Sequence, residues 1–166
     1  MKSKTKKNVV AGLGEIGMPI HNLLSKNSLT VGYDLNEKLM NKKIFEKYIG
    51  IPTSILHISI PFSKKFIRNV EKLVKTFQPE ILVIHSTVSP NTTSILQSKF
   101  EIPVIYSAIR GVHKRMEYDL KRYTKFFAIS SKAPKKQSAI KEFKKTMKIN
   151  GIKTKQMSKP ETLELG

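Results

Sequence analysis

The chain has 166 residues and 39% hydrophobic content, enough for one domain with a real core and too short for two full-sized ones. It has no cysteine, which excludes disulfides, thiolate metal sites and a cysteine nucleophile on this chain. It also has no apolar run of about 18 residues, so no membrane span is expected. The formal charge of +19 would suit an anionic partner, but the excess is almost all lysine. The lysines are scattered over what read as polar helix faces, so a solvated surface is favoured over a nucleic-acid reader. The basic start "MKSKTKK" runs into "NVVAGLGEIG", whose glycines and Glu15 are wrong for a signal peptide, and a cytoplasmic location is the default.

Short apolar runs alternate with amphipathic stretches. A buried strand is predicted over 8–13 and a helix over 16–26, with Ile16, Ile20, Leu23 and Leu24 on one side. "LTVGYD" (29–34) is a second strand, and 36–48 reads as a helix or part of one. "SILHISI" (54–60) is a third strand, stopped by Pro61. The strongest helix is 63–77, where Phe66, Val70, Val74 and Phe77 form a stripe ended by Pro79. The continuous run "EILVIHS" (80–86) fits a central parallel strand. A short helix over 90–98, a strand over 103–108 and an irregular segment with one helix over 111–123 follow. A strand over 125–130, a basic amphipathic helix over 135–149 and an edge strand over 151–157 complete the order. This alternation predicts an α/β fold: a doubly wound, mainly parallel sheet with helices on both faces.

The first strand–helix junction carries Gly12, Gly14 and Gly17 as G-x-G-x-x-G. In that setting Gly12 makes the tight turn, Gly14 lets backbone approach a pyrophosphate, and Gly17 lets helix and strand pack closely. The helix N-terminus adds free N–H groups and a positive dipole end. Asp34 ends the second strand, where a carboxylate takes adenosine ribose hydroxyls and favours NAD over NADP. Lys38 lies close enough to temper that preference. Ligands of such sheets sit beyond the carboxyl ends of the strands, which read "SIPFS", "HSTVSPNTT" and "YSAIRGVH". The hydroxyls of the Ser86–Thr87 corner are candidates for the second ribose and nicotinamide. His85 is expected half-buried at a strand end, and His21 and His57 structural. The histidines and acids show no metal-ligand spacing, so no metal is expected.

"VVAGLGEIG", "GYD", "HISIPFS" and "IHSTVSPNTT" resemble the NAD-binding domain of the UDP-glucose/GDP-mannose dehydrogenase family, and more broadly 6-phosphogluconate and β-hydroxyacid dehydrogenases. The resemblance implies a Rossmann-like NAD(P)-binding domain. Gly12, Gly14, Glu15, Ile16, Gly17 and Asp34 would contact adenosine and pyrophosphate, Pro61 and Phe62 would cover the adenosine half, and Ser86 and Thr87 would sit toward the nicotinamide. Asn91 stands where that family usually has glycine. "SAIRGVHKRM" replaces its acidic Pro-Glu segment, and a thioester route would need a cysteine that is absent. "GVHKRM" also resembles the segment of prephenate dehydrogenases that carries a histidine after a comparable strand, though without the proline that follows it there. His113 is the candidate general base for alcohol oxidation, and Arg110 the candidate clamp for a substrate carboxylate or phosphate.

Ser158 and Glu161 form S-x-x-E with Pro160 in the first turn, a capping-box signature. In the resembling family this place begins a long helix into a second, helical domain. Residues 1–157 are therefore taken as the dinucleotide-binding domain, and 158–166 as the start of a linker helix toward a domain absent from this chain. The expected function is hydride transfer to NAD from a small-molecule alcohol, a sugar nucleotide or hydroxyacid, with a second domain or homodimer partner. A non-catalytic NAD- or partner-binding module and a prephenate-dehydrogenase-like fragment are the alternatives.

Overall fold

β1 (Lys7–Ala11) is buried along its whole length and lies between two parallel neighbours, β2 (Thr30–Tyr33) and β3 (Thr53–Ile58). The computed structural model describes residues 5–109 and 113–165. Beyond β3 come β4 (Ile81–Ile84), β5 (Val104–Tyr106), β6 (Lys125–Ile129) and β7 (Thr154–Gln156), giving the order β2-β1-β3-β4-β5-β6-β7. Adjacent strands run parallel except β5 and β6, which are antiparallel. Because β2 and β3 leave β1 on opposite sides, a crevice opens beyond the carboxyl ends of β1 and β3, the topological switch point.

The strands' period of two divides their side chains between two layers. Val10, Ile55, Val83, Ile105 and Phe127 face α1 (Gly17–Leu24), α5 (Met116–Arg122) and α6 (Lys136–Ile149). Val9, Leu56, Leu82 and Val104 face α3 (Phe66–Phe77) and α4 (Thr92–Lys99). The doubly wound α/β architecture is thus the one the alternation predicts. No helix among the described residues is long and apolar enough to cross a membrane.

One local expectation is sharpened and one corrected. Where a helix or part of one is expected over 36–48, the chain forms a 3-10 turn, Glu37–Leu39, followed by α2 (Lys42–Lys47). Asn36 Oδ1 accepts from the Lys38 N–H and Asn41 Oδ1 from the Ile44 N–H, each at 3.2 Å. Each asparagine therefore starts its own helix, and the extended backbone at Asn41 separates them. Nor does Ser158 cap α7 (Pro160–Glu164): the N-cap is Lys159, with no side-chain bond. Proline at the first helical position fixes the helix start one residue later than the capping box requires.

Candidate functional site

The turn after β1 uses its glycines for two different ends. Gly12 has φ +94°, and a Cβ there would come within 2.7–2.8 Å of the Ser59 and Ile60 backbone. A Cβ on Gly17 would lie 1.6 Å from the Gly12 carbonyl oxygen. Both positions are fixed by packing of the loop on β3 and on itself. Gly14 differs: a Cβ there would meet nothing within 4 Å, and the residue is exposed at the mouth of α1. No contact among the described residues demands glycine at that point, so the missing side chain leaves room for something from outside. α1 has Ile16 at its N-cap and no side-chain cap; the Met18 N–H donates to the Gly14 carbonyl at 3.0 Å and Pro19 has no N–H, so what α1 offers beside Gly14 is the positive end of its dipole rather than a row of free donors.

Asp34 ties this loop to the end of β2. Its Oδ2 accepts from the Leu13 N–H at 2.7 Å and its Oδ1 from the Asn36 N–H at 2.8 Å. Each carboxylate oxygen keeps lone-pair capacity for a further donor, so the residue both shapes the loop and offers acceptors to the cleft.

A cleft of about 1050 Å³ opens beside this loop. Of the residues assigned from sequence to the cofactor, Gly12, Gly14, Glu15, Ile16, Asp34, Pro61, Phe62, Ser86 and Thr87 all line it. Gly17 is buried beneath and acts through packing. Phe62 is 42% exposed and leans on Phe66, ring centroids 5.3 Å apart. Ser86 is buried and donates its hydroxyl to the Ile60 carbonyl at 2.5 Å, whereas Thr87 is exposed at the rim. Asn91 takes φ +71°, the left-handed region that asparagine tolerates best after glycine, so it can replace glycine in this corner.

The cleft also holds residues that the motifs did not mark. Asn69, Lys72, Leu73 and Thr76 form one wall from α3, spaced as neighbours on one helix face. That spacing was the available signal. Lys72, not Lys38, is the lysine that lines the cleft. Ser59 lies on its floor with a buried hydroxyl that has no hydrogen-bond partner among the described residues.

On the substrate side, Arg110 and the side chain of His113 lie outside the described residues; the backbone of His113 begins the 3-10 turn His113–Arg115. His85 is not half-buried: it and His57 are both 0% exposed. They pair at 2.8 Å, Nε2 of His85 to Nδ1 of His57. Burial and the charge of Lys125 lower His57 to about 3 and His85 well below the usual histidine range. Both are therefore neutral near pH 7, and neither reaches the cleft. No group of three or more histidine and acidic side chains among the described residues could hold a metal ion.

No protein-family model matches the chain, and no curated protein matches it in sequence. Solved structures do match in fold. A UDP-D-ManNAc dehydrogenase from Pyrococcus horikoshii superposes with a TM-score of 0.75 at 16% identity, over 96% of this chain and 48% of that one. A UDP-N-acetyl-mannosamine dehydrogenase from Staphylococcus aureus gives 0.69 at 15% identity, over 96% and 49%. A prephenate dehydrogenase from A. aeolicus, solved with hydroxyphenyl propionate and NAD+, gives 0.72 at 17% identity, over 99% and 63%. The chain spans about half the length of the first two structures. The likeness is one of fold: the chain has the Rossmann-like α/β architecture that these dehydrogenases carry.

Proposed function

We propose that this chain is the NAD-binding domain of an oxidoreductase that takes hydride from a small alcohol, a sugar nucleotide or a hydroxyacid. The observation that carries this is Gly14: of the three motif glycines, it alone is explained by no contact among the described residues. The uncapped start of α1 would hold the pyrophosphate, and the Asp34 carboxylate the adenosine ribose hydroxyls. A 2′-phosphate there would face that carboxylate, so NAD is favoured over NADP. Pro61 and Phe62 would cover the adenosine half, and Ser86 and Thr87 would orient the nicotinamide half. NAD, when bound, supplies the hydride acceptor. Arg110 is proposed to clamp an anionic substrate group and His113 to take the alcohol proton. A second helical domain or a partner copy would complete the substrate site, in a cytoplasmic setting.

The test is calorimetric titration of the full chain with NAD, NADP and ADP-ribose. Binding of NAD and ADP-ribose, with NADP at least about tenfold weaker, is expected. A folded chain that binds none of them at millimolar concentration would overturn the assignment.

A further inference from the structure

A line of polar side chains crosses the sheet on the face covered by α1, α5 and α6. None of its members lines the cleft assigned to the cofactor. Where the strands otherwise present Val10, Ile55, Val83 and Phe127, they also carry Asn8, His57, His85, Ser107 and Lys125, all buried. His57 Nε2 lies 2.9 Å from Asn8 Oδ1, and His57 Nδ1 lies 2.8 Å from His85 Nε2. With the asparagine oxygen as acceptor, His57 donates from Nε2 and accepts at Nδ1 from His85. Both rings are then neutral, as their depressed pKa values require. The charge in this line belongs to Lys125, which is 5% exposed.

Lys125 Nζ donates to the Ser107 carbonyl and, at 3.4 Å, to the Ala108 carbonyl. These residues continue β5 past its carboxyl end. Because β6 runs antiparallel to β5, the start of β6 lies at the sheet edge where β1, β3 and β4 end. The held segment is joined to the cleft. The Ile109 N–H donates to the His85 carbonyl at 3.3 Å, and Ser86 and Thr87 follow His85 directly. Burying an ammonium against neutral carbonyls costs stability that an apolar residue would spare. Such a group calls for a role other than packing.

We propose that Lys125 is a positioning residue for the substrate end of the cleft. Its ammonium ties the two carbonyls past β5 and so holds that segment against the Ser86–Thr87 corner. The inference rests on the reading that the cleft takes NAD, whose nicotinamide half that corner would orient. Burial lowers Lys125 from 10.5 to about 7, so the tie is fully charged below neutrality and weakens above it. The groups facing it are neutral His85 and His57 from β4 and β3, and Thr154 opposite it on β7. α5 contributes Asp119, the residue after it Tyr123, and α7 Leu163, to a cavity of about 430 Å³ that Lys125 also lines. Asp119 Oδ1 is 3.4 Å from Arg115 Nε.

The experiment compares the wild-type chain with Lys125→Met and Lys125→Arg from about pH 6 to about pH 9. It reads NAD and ADP-ribose affinities, and amide hydrogen exchange at Ile109 corrected for intrinsic rate. In Lys125→Met, NAD affinity and Ile109 protection should each fall about tenfold while ADP-ribose affinity holds. In the wild type, NAD affinity should decline above neutrality while ADP-ribose affinity does not. Lys125→Arg should keep NAD affinity and flatten that profile, since arginine stays charged. Wild-type NAD affinity and Ile109 exchange in a folded Lys125→Met would overturn the proposal. So would equal loss of both ligands, which marks a merely structural role. If Lys125→Met does not fold, parallel wild-type pH profiles for the two ligands overturn it. If the wild type binds neither ligand, the NAD reading fails, and Ile109 exchange still decides whether the tie exists.

Discussion

The three motif glycines separate at the level of single atoms. Gly17 cannot gain a methyl group without moving the Gly12 carbonyl, 1.6 Å from where that group would stand. Gly17→Ala should therefore destabilise the fold by more than about 3 kcal/mol, read as a lower midpoint in urea. Gly14 has open space in the same direction and an ordinary φ. Gly14→Val should shift Tm by no more than about 2 °C, yet lower NAD affinity at least tenfold by filling the approach to α1 (roughly 1.4 kcal/mol or more). A Gly14→Val chain that binds NAD like the wild type would remove the main argument for the cradle. The contrast matters because the sequence pattern treats the three glycines alike. Only the surrounding backbone tells which of them serves the fold and which leaves room for a ligand.

At the level of elements, strand and helix order was legible because buried strands are continuous apolar runs, and α3 shows its stripe at helical spacing. The cleft was legible where motif and strand end coincide, at Gly12 to Gly17, Asp34 and the Ser86–Thr87 corner. What could not be read depends on register and direction between distant strands. His57, His85, Ser107 and Lys125 meet only because β3, β4 and β5 are parallel neighbours and β6 turns back. Composition carries no mark of that reversal. The same limit hid the mooring of α7. Glu164 is 7% exposed, and its carboxylate accepts from the Thr92 and Thr93 N–H groups at 3.0 and 3.4 Å. It thus caps the start of α4 from across the chain. Desolvation raises its pKa against the pull of these hydrogen bonds. Glu164→Ala should strip the Thr93 N–H of its acceptor and leave the Thr92 N–H only its 3.3 Å bond to the Ser89 carbonyl, and so cost about 1–2 kcal/mol, a Tm drop of several degrees by scanning calorimetry. Glu164→Gln should recover most of that, because its amide oxygen still accepts and no charge is buried. Equal losses in the two variants would show that side-chain packing, not the cap, holds α7.

For the molecule as a whole, the buried titratable groups set how stability depends on pH. His57 is lowered to about 3 from an ordinary 6.5, and His85 is also lowered. Between those values the unfolded chain holds protons that the folded chain refuses, so stability falls as pH drops below about 6.5. For His57 alone the loss is on the order of 3–5 kcal/mol by pH 3. Lys125, lowered from 10.5 to about 7, repeats the pattern in the next window: the unfolded lysine stays protonated while the folded one does not, so stability rises from pH 7 toward 10. Glu164 opposes both, since its raised pKa gives stability below about 4.5 that is lost as pH rises through the folded value. Among the described residues it is one group against four, since burial also lowers Lys7. The surplus of 31 Lys and Arg over 12 Asp and Glu acts in the same direction as the histidines, because acid adds to a charge already at +19. Salt separates the two causes: surface repulsion is screened within about 10 Å at 0.1 M, whereas the buried rings are not. Calorimetric Tm should climb from about pH 4 to 6.5 and again from about pH 7 to 9, and the acid slope should survive high salt. Replacing both histidines together, His57→Leu with His85→Leu, should flatten that slope and leave the alkaline rise in place. A wild-type Tm that is level below pH 6.5 in high salt would mean that the two rings take up protons in the folded chain, and the neutral line across the sheet would be wrong.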